Sequence, residues 1–412
     1  MEKAIVWLDR ITVFSLYALI FTLPFSKSMV EIFFVAAAVS WAVKRWAGRR
    51  HGLSFVAYRP VGDGLNLPIG IFISLGFLST LTSVSLPLSL EGFFFKLLEG
   101  AMIFFIVAET INDNKRLNGM LFVMLFSMFL ITVDGLVQLI TGADFLRGHF
   151  LRGWRIQASF DNPNNFAAWL IMMTPIALML MYHKTLSWVH SLKTRKWRGA
   201  VISLILCVIT ALLITCLALT YTRGAWIATV LALVFLAFLR SKKLLVLLII
   251  VLLIVPFVTP EQMKDRALTV LHIDKMATKR PYIWQEALSI VKDFPLLGCG
   301  LNTYTIVAPR YKLPGGGGHY PHNSYLHMAA ESGLLGLGAF LWIILVLFRK
   351  ALANLVKIKD GFHGAVLAGL LAGLFAFLAH SFVDTNFYSL QLGNLMWFIM
   401  GLIVAIQKIA EK

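Results

Sequence analysis

One stretch of this chain gathers residue types that can do chemistry at a boundary. It runs Pro321-His322-Asn323-Ser324-Tyr325-Leu326-His327, with Glu331, Gly333 and Gly336 following. The Gly-rich run Gly315 to Gly318 precedes it and frees the backbone just before a hydrophobic helix is expected to begin. His322 then falls near the first helical turn, where N–H groups lack partners and the helix dipole is positive. That field disfavours a protonated imidazole. A neutral histidine at a membrane–water boundary suits a general base; the plainer reading is a histidine that anchors a helix end.

Arginine supplies the second ingredient. Arg147, Arg152 and Arg155 crowd one polar stretch, Arg223 sits in Thr-Arg-Gly-Ala-Trp between two apolar runs, and Arg266, Arg280 and Arg310 share a longer polar stretch. An arginine between two spans is costly unless it is paired or faces a polar cavity. Its planar fork matches phosphate oxygens, so several converging arginines would suit a diphosphate. The alternatives are that Arg223 snorkels to the interface or pairs with Asp384, and that Arg147 and Arg152 are ordinary solvated charge.

Other polar groups stand where spans end. Asp161-Asn162-Pro163-Asn164-Asn165 opens an apolar run, and its side chains could cap the helix or bind sugar hydroxyls. His327 and Glu331 are four apart, as are His380 and Asp384. Such pairs can ligate metal but are more often hydrogen-bonded pairs inside a bundle. The sequence holds no HExxH, no Asp-x-Asp, no P-loop and no Gly-x-Ser-x-Gly. The expectation is chemistry with neither metal nor cofactor.

The elements that must position these groups follow from composition. The 412 residues are 59% hydrophobic and 14% charged. Several apolar runs exceed the roughly 18 residues that mark a membrane span, and spans of that length fit only an all-α bundle. Twelve are read, at 10–26, 28–46, 66–84, 93–110, 118–140, 164–182, 200–221, 224–239, 243–258, 322–348, 362–382 and 391–408. Lys and Arg number 37 against 20 Asp and Glu, a formal charge of +17. In a soluble protein that excess would point to nucleic acid. Here it is topological, because basic residues collect in alternate short loops, the cytoplasmic set. Both termini are then cytoplasmic, and 141–163 and 259–321 are external, periplasmic in a bacterium. The expected division is 1–258, a bundle of nine helices; 259–321, a helical lid; and 322–412, three more helices. Three cysteines make no disulfide framework.

At this point the residues carry a resemblance. His322-Asn323, nine residues, Gly333, two residues and Gly336 resemble the H-[NSQ]-x9-G-x-x-G signature of the O-antigen ligase and polymerase superfamily. Thr222-Arg223-Gly224 resembles its Ser/Thr-Arg-Gly segment, and Arg280 onward, followed by Pro295-Leu296-Leu297-Gly298-Cys299-Gly300, resembles its Arg-x3-Trp…Pro-Leu-x-Gly-x-Gly segment. Asn162-Pro163-Asn164 also has a counterpart there.

The resemblance implies a GT-C-like glycosyltransferase in the inner membrane, its site facing the periplasm. A ligase of this kind moves O-antigen glycan from undecaprenyl diphosphate to lipid A–core. It implies His322 as the base, Arg223 and Arg280 on the diphosphate with Arg155 a weaker third, and Asn323, Asp384, Asn162 and Tyr325 in support or on sugar. A polymerase joining lipid-linked repeats differs only in its acceptor, and no residue here reads the acceptor. A polysaccharide or lipid transporter would share the span count, but should show internal repeats and mid-membrane charges. Neither is evident.

Overall fold

The computed structural model describes residues 2–50, 64–151, 153–190, 197–240, 246, 280–314, 316, 319–358 and 361–412. The expected span at 243–258 apart from residue 246, the first part of the 259–321 stretch (259–279), Arg152 and Arg266 lie outside the described residues.

Helices make up the described fold, and no strand occurs among these residues beyond one isolated bridge, Ala143 with Phe150. In order they are α1 (Glu2–Thr22), α2 (Lys27–Arg50), α3 (Asn66–Leu81), α4 (Leu86–Gly92), α5 (Glu99–Thr110), α6 (Asn114–Thr141), α7 (Pro163–His190), α8 (Trp197–Leu219), α9 (Arg223–Arg240), α10 (Arg280–Asp293), α11 (Tyr304–Val307), α12 (Ser324–Ile358), α13 (Phe362–His380) and α14 (Leu390–Ala410). Eight of them, α1, α6, α7, α8, α9, α12, α13 and α14, are long and apolar enough to cross a membrane. The chain is an all-α polytopic membrane protein. Where 28–46, 66–84 and 93–110 were expected to span, the structure has α2, the 16-residue α3, and α5 continuing from α4 through a π-helical turn, Phe93–Leu98.

Helices suit this sequence because they satisfy every backbone group internally, as lipid demands. α13 and α14 are buried along almost their whole length and form the centre with α7. Close packing there relies on small residues: a methyl on Gly373 would lie 2.2 Å from the Met172 carbonyl oxygen. α1 and α9 instead keep large apolar side chains exposed, among them Phe14 and Phe238. At one end of the bundle Lys44 and Arg116 pair with Asp9, and Arg45 pairs with Glu109. Acids and bases alike stand within helices here, so this end of the bundle is partly neutralised by its own helices.

The main departure from the expected elements is in α12, which is broken at Gly333 (φ 70°, ψ 178°). The helix loses its own hydrogen bonds there, and the segment after α10 takes them up. Cys299 N donates to Ala330 O at 2.9 Å, Gly300 N to Glu331 O at 3.0 Å, and Leu334 N to Pro295 O at 2.8 Å. The Pro-Leu-Leu-Gly-Cys-Gly and Gly-Leu-Leu-Gly motifs are therefore two halves of one interlock. A Cβ on Gly298 would sit 2.3 Å from the Glu331 carbonyl carbon, and one on Gly333 would sit 2.0 Å from Leu296 O. Both glycines also hold positive φ, so no other residue fits either place. The interlock ties the helix carrying Arg280 to the helix that begins beside His322.

Candidate active site

A tight turn places Arg223. α8 ends at Leu219, Tyr221 adopts φ 50°, and Arg223 begins α9. Trp226 Nε1 donates back to Leu217 O at 3.2 Å and holds the turn closed. Arg155 reaches the same turn from the segment after α6. Its Nε donates to Thr220 O at 2.8 Å, and its Nη2 donates to Thr222 Oγ1 at 3.0 Å and to Asn164 Oδ1 at 2.6 Å. Arg280 begins α10. All three guanidinium side chains line one cavity of about 230 Å³, together with Asn164, His380 and Asp384. Its apolar wall is Ile227, Ala228 and Leu231 of α9. A cavity lined by both three arginines and aliphatic side chains has the two characters that a lipid diphosphate presents.

Asp384 links this cavity to His322. Asp384 Oδ2 accepts from Asn164 Nδ2 at 2.7 Å, and Oδ1 accepts from Thr385 N at 2.8 Å. His322 Nδ1 lies 3.2 Å from the same Oδ1. Burial by itself would raise the Asp384 carboxyl. The hydrogen bond from His322, the histidine charges beside it and the Thr385 N–H outweigh that, and hold it at about 2. A permanent carboxylate at Nδ1 keeps the proton on that nitrogen and leaves the Nε2 lone pair facing outward. The His322 side chain is 44% exposed, so the imidazole is within reach of an incoming group. Ser324 builds the pairing: its Oγ donates to Asp384 O at 2.9 Å, and its N–H to Ser381 O at 2.8 Å.

The electrostatic setting of His322 differs from the one read in the sequence. It stands two residues ahead of Ser324, at φ 47°, outside the first helical turn. Its nearest charge is a carboxylate, not a helix dipole. A left-handed backbone at a non-glycine residue is costly and collects at functional positions.

The remaining candidates are placed as follows. Asn323 Oδ1 accepts from Tyr325 N and Leu326 N, both at 3.0 Å, and caps α12. Asn162 Oδ1 accepts from Asn165 N at 2.9 Å and caps α7, while Asn164, two residues on, reaches the cavity. Tyr325 donates its hydroxyl to Leu378 O at 2.9 Å and packs between Phe382 and Phe387. Arg147 donates to Ser159 O at 2.9 Å and lies 3.6 Å from Asp161. Asp384 pairs with His322 and Asn164, and His380 Nδ1 meets Asn386 Nδ2 at 3.0 Å. His327 Nε2 lies 3.2 Å from Glu331 Oε1, and Glu331 also accepts from Asn302 N and Tyr304 N, so this pair pins the segment after α10. Among the described residues no group of three or more His, Cys, Asp or Glu is placed to hold a metal ion.

Two residues of the site were not singled out from the sequence. Asn164 was visible only as part of an Asn-rich helix start, and Ser324 only as the residue after Asn323. Their partners lie far away in the chain, so spacing alone gave no signal.

Residues 208–341 match the family model described as O-Antigen ligase. That segment holds Arg223, Arg280 and His322. The Exopolysaccharide production protein ExoQ of Rhizobium meliloti (strain 1021) is 26% identical over 119 residues, which is 27% of this chain and 27% of that protein's length. Over residues 208–341, then, the chain is similar to the O-antigen ligase family.

Proposed function

We propose that this protein is a glycosyltransferase that moves O-antigen glycan from undecaprenyl diphosphate to a hydroxyl of lipid A–core. The observation that carries this reading is the joining of the arginine cavity to the His322–Asp384 pair through one carboxylate. In the proposed reaction His322 Nε2 takes the proton of the acceptor hydroxyl. That oxygen attacks the anomeric carbon, and the bond from that carbon to the diphosphate oxygen breaks. Arg223 and Arg280 hold the departing diphosphate and balance its growing charge. Arg155, already committed to Thr220, Thr222 and Asn164, fixes the wall of the cavity. Attack opposite the leaving group inverts the anomeric centre. Asp384 keeps the His322 tautomer and steadies the imidazolium that forms.

The site is proposed to face the periplasm, with both termini in the cytoplasm of an inner-membrane protein, because basic residues fill the alternate loops. A second reading, a polymerase that joins lipid-linked repeats, is favoured by the match to a protein named for exopolysaccharide production. Reconstitution of the purified protein with undecaprenyl-diphosphate glycan separates the two. Product on lipid A–core supports the ligase; product only on a second lipid-linked glycan supports the polymerase. No product with either acceptor refutes both.

A further inference from the structure

Three tyrosines surround His327, and a cation stands beside one of them, at a place the mechanism above leaves unused. Lys96 lies in the π-helical turn Phe93–Leu98. Its Nζ donates to Asn302 Oδ1 at 2.6 Å and stands 5.8 Å from the centre of the Tyr388 ring. The Tyr388 ring stacks on His327 at 3.5 Å, Tyr304 meets the same imidazole edge-on at 4.8 Å, and Tyr320 stands 5.6 Å from it. Tyr320 is 44% exposed.

Two unusual backbone features serve the Lys96–Asn302 contact. One is the π turn itself. The other is Asn302, which holds φ 60° and has its N–H fixed by Glu331 Oε2 at 2.9 Å. Each costs stability, and each kind of feature gathers at functional positions. Lys96 is half-buried, and among the described residues no carboxylate lies within ion-pair distance of it. Its charge meets only a neutral amide oxygen and a ring face. A lysine that merely snorkels would need neither the π turn nor the left-handed asparagine.

None of Lys96, Tyr320 and Tyr388 lines the arginine cavity. His322 is connected to both places. Through Asp384 it meets the cavity, and Tyr320 precedes it by two residues, within about 7 Å along the chain. A base that deprotonates an acceptor hydroxyl as it attacks the donor must stand where the two substrates meet.

We propose that Lys96, Tyr388 and Tyr320 form the acceptor subsite, and that it takes a phosphorylated sugar. The exposed Tyr320 ring gives the sugar an apolar face, the Tyr388 ring lies beside Lys96, and Lys96 Nζ holds the phosphate. This rests on His322 being the base of a transfer reaction. Charged phosphate comes either from a phosphorylated core oligosaccharide or from a second lipid-linked chain, and the test separates these sources.

The test uses the full-length protein and its Lys96→Gln and Lys96→Arg variants. The acceptors are core oligosaccharide, the same material after phosphatase treatment, and a second lipid-linked glycan. Loss of one charge-assisted hydrogen bond should raise the acceptor KM about 10-fold or more. Lys96→Gln should do this for the phosphorylated core and not for the treated one, with donor KM unchanged and kcat nearly so. Lys96→Arg should restore most of the loss. A wild-type protein indifferent to phosphatase treatment, a Lys96→Gln protein with unchanged acceptor KM, or one equally impaired for both core acceptors, overturns the subsite. If only the second lipid-linked chain accepts glycan, the ligase reading fails. The subsite is then decided on that chain: a KM for it raised about 10-fold in Lys96→Gln supports the subsite, and an unchanged one overturns it.

Discussion

Asn164 hydrogen-bonds Asp384 and Arg155 with the two ends of one amide: Nδ2 donates to Asp384 Oδ2 at 2.7 Å and Oδ1 accepts from Arg155 Nη2 at 2.6 Å. It therefore sets the carboxylate that sets His322, without itself meeting a reacting atom. Asn164→Ala should lower kcat by about 10- to 100-fold, the usual loss when a supporting hydrogen bond is removed. Donor KM should stay within about twofold, because no proposed diphosphate contact is deleted. Asn164→Asp should be worse, since it sets a second carboxylate against Asp384. A parallel loss of donor affinity in Asn164→Ala would mean that Asn164 holds the donor as well as positioning Asp384.

Asp384 makes a prediction about pH. Its folded value of about 2 lies below the ordinary carboxylate value. A depressed carboxylate contributes stability that is full above its unfolded value and is lost as pH falls through its folded value. Across roughly pH 5 to 8 the contribution is thus constant. Asp384→Asn should lower Tm by the same amount at both ends of that range, and kcat on the order of 100-fold or more. Thermal unfolding of both proteins in one detergent checks this. A Tm difference that shrinks toward pH 5 would mean that the carboxyl titrates there.

Much of the candidate site was legible because it sets rare residue types in costly places. Arg223 between two apolar runs, Arg280 at a helix start, Asp384 after a span and His322 before one stand out against a chain of aliphatic residues. The structure gathers the first three, with Arg155, around one cavity and bonds His322 to Asp384. What was not legible depends on partners remote in sequence. Asn162 and Asn164 look alike at a helix start, yet one caps the helix and the other faces the cavity. The break in α12 reads as an unbroken apolar helix, because the groups that replace its lost hydrogen bonds lie on residues 295–300. The π turn at Phe93–Leu98 has no composition of its own, so nothing in the sequence set Lys96 apart.

The interlock gives a prediction that is structural and separate from catalysis. Gly333→Ala puts a methyl 2.0 Å from Leu296 O at a φ of 70°, and neither backbone can yield without the other. The variant should lose about 2 kcal/mol or more of stability. It should show as a lower Tm and poor recovery from membranes, with kcat and KM of the surviving protein disturbed together. A Gly333→Ala protein as stable as wild type would mean that the segment after α10 does not dock into the break.

The roles of His322 and Arg223 can be separated by measuring binding beside turnover. His322 is half-exposed and holds φ 47°, a conformation that asparagine adopts at small cost. His322→Asn should therefore keep the fold and bind donor normally. Its single-turnover rate should fall about 100- to 10,000-fold, the usual loss on removing a general base. Arg223 begins α9 on the cavity, in contact with the space where a diphosphate would lie. Arg223→Ala should weaken donor binding and turnover together, and Arg223→Lys should restore only part, because an ammonium cannot reproduce the two-pronged guanidinium grip. Wild-type transfer by His322→Asn would remove the base from the mechanism. An inactive Arg223→Ala protein with unchanged donor affinity would move Arg223 from holding the bound diphosphate to stabilising the charge that develops as it departs.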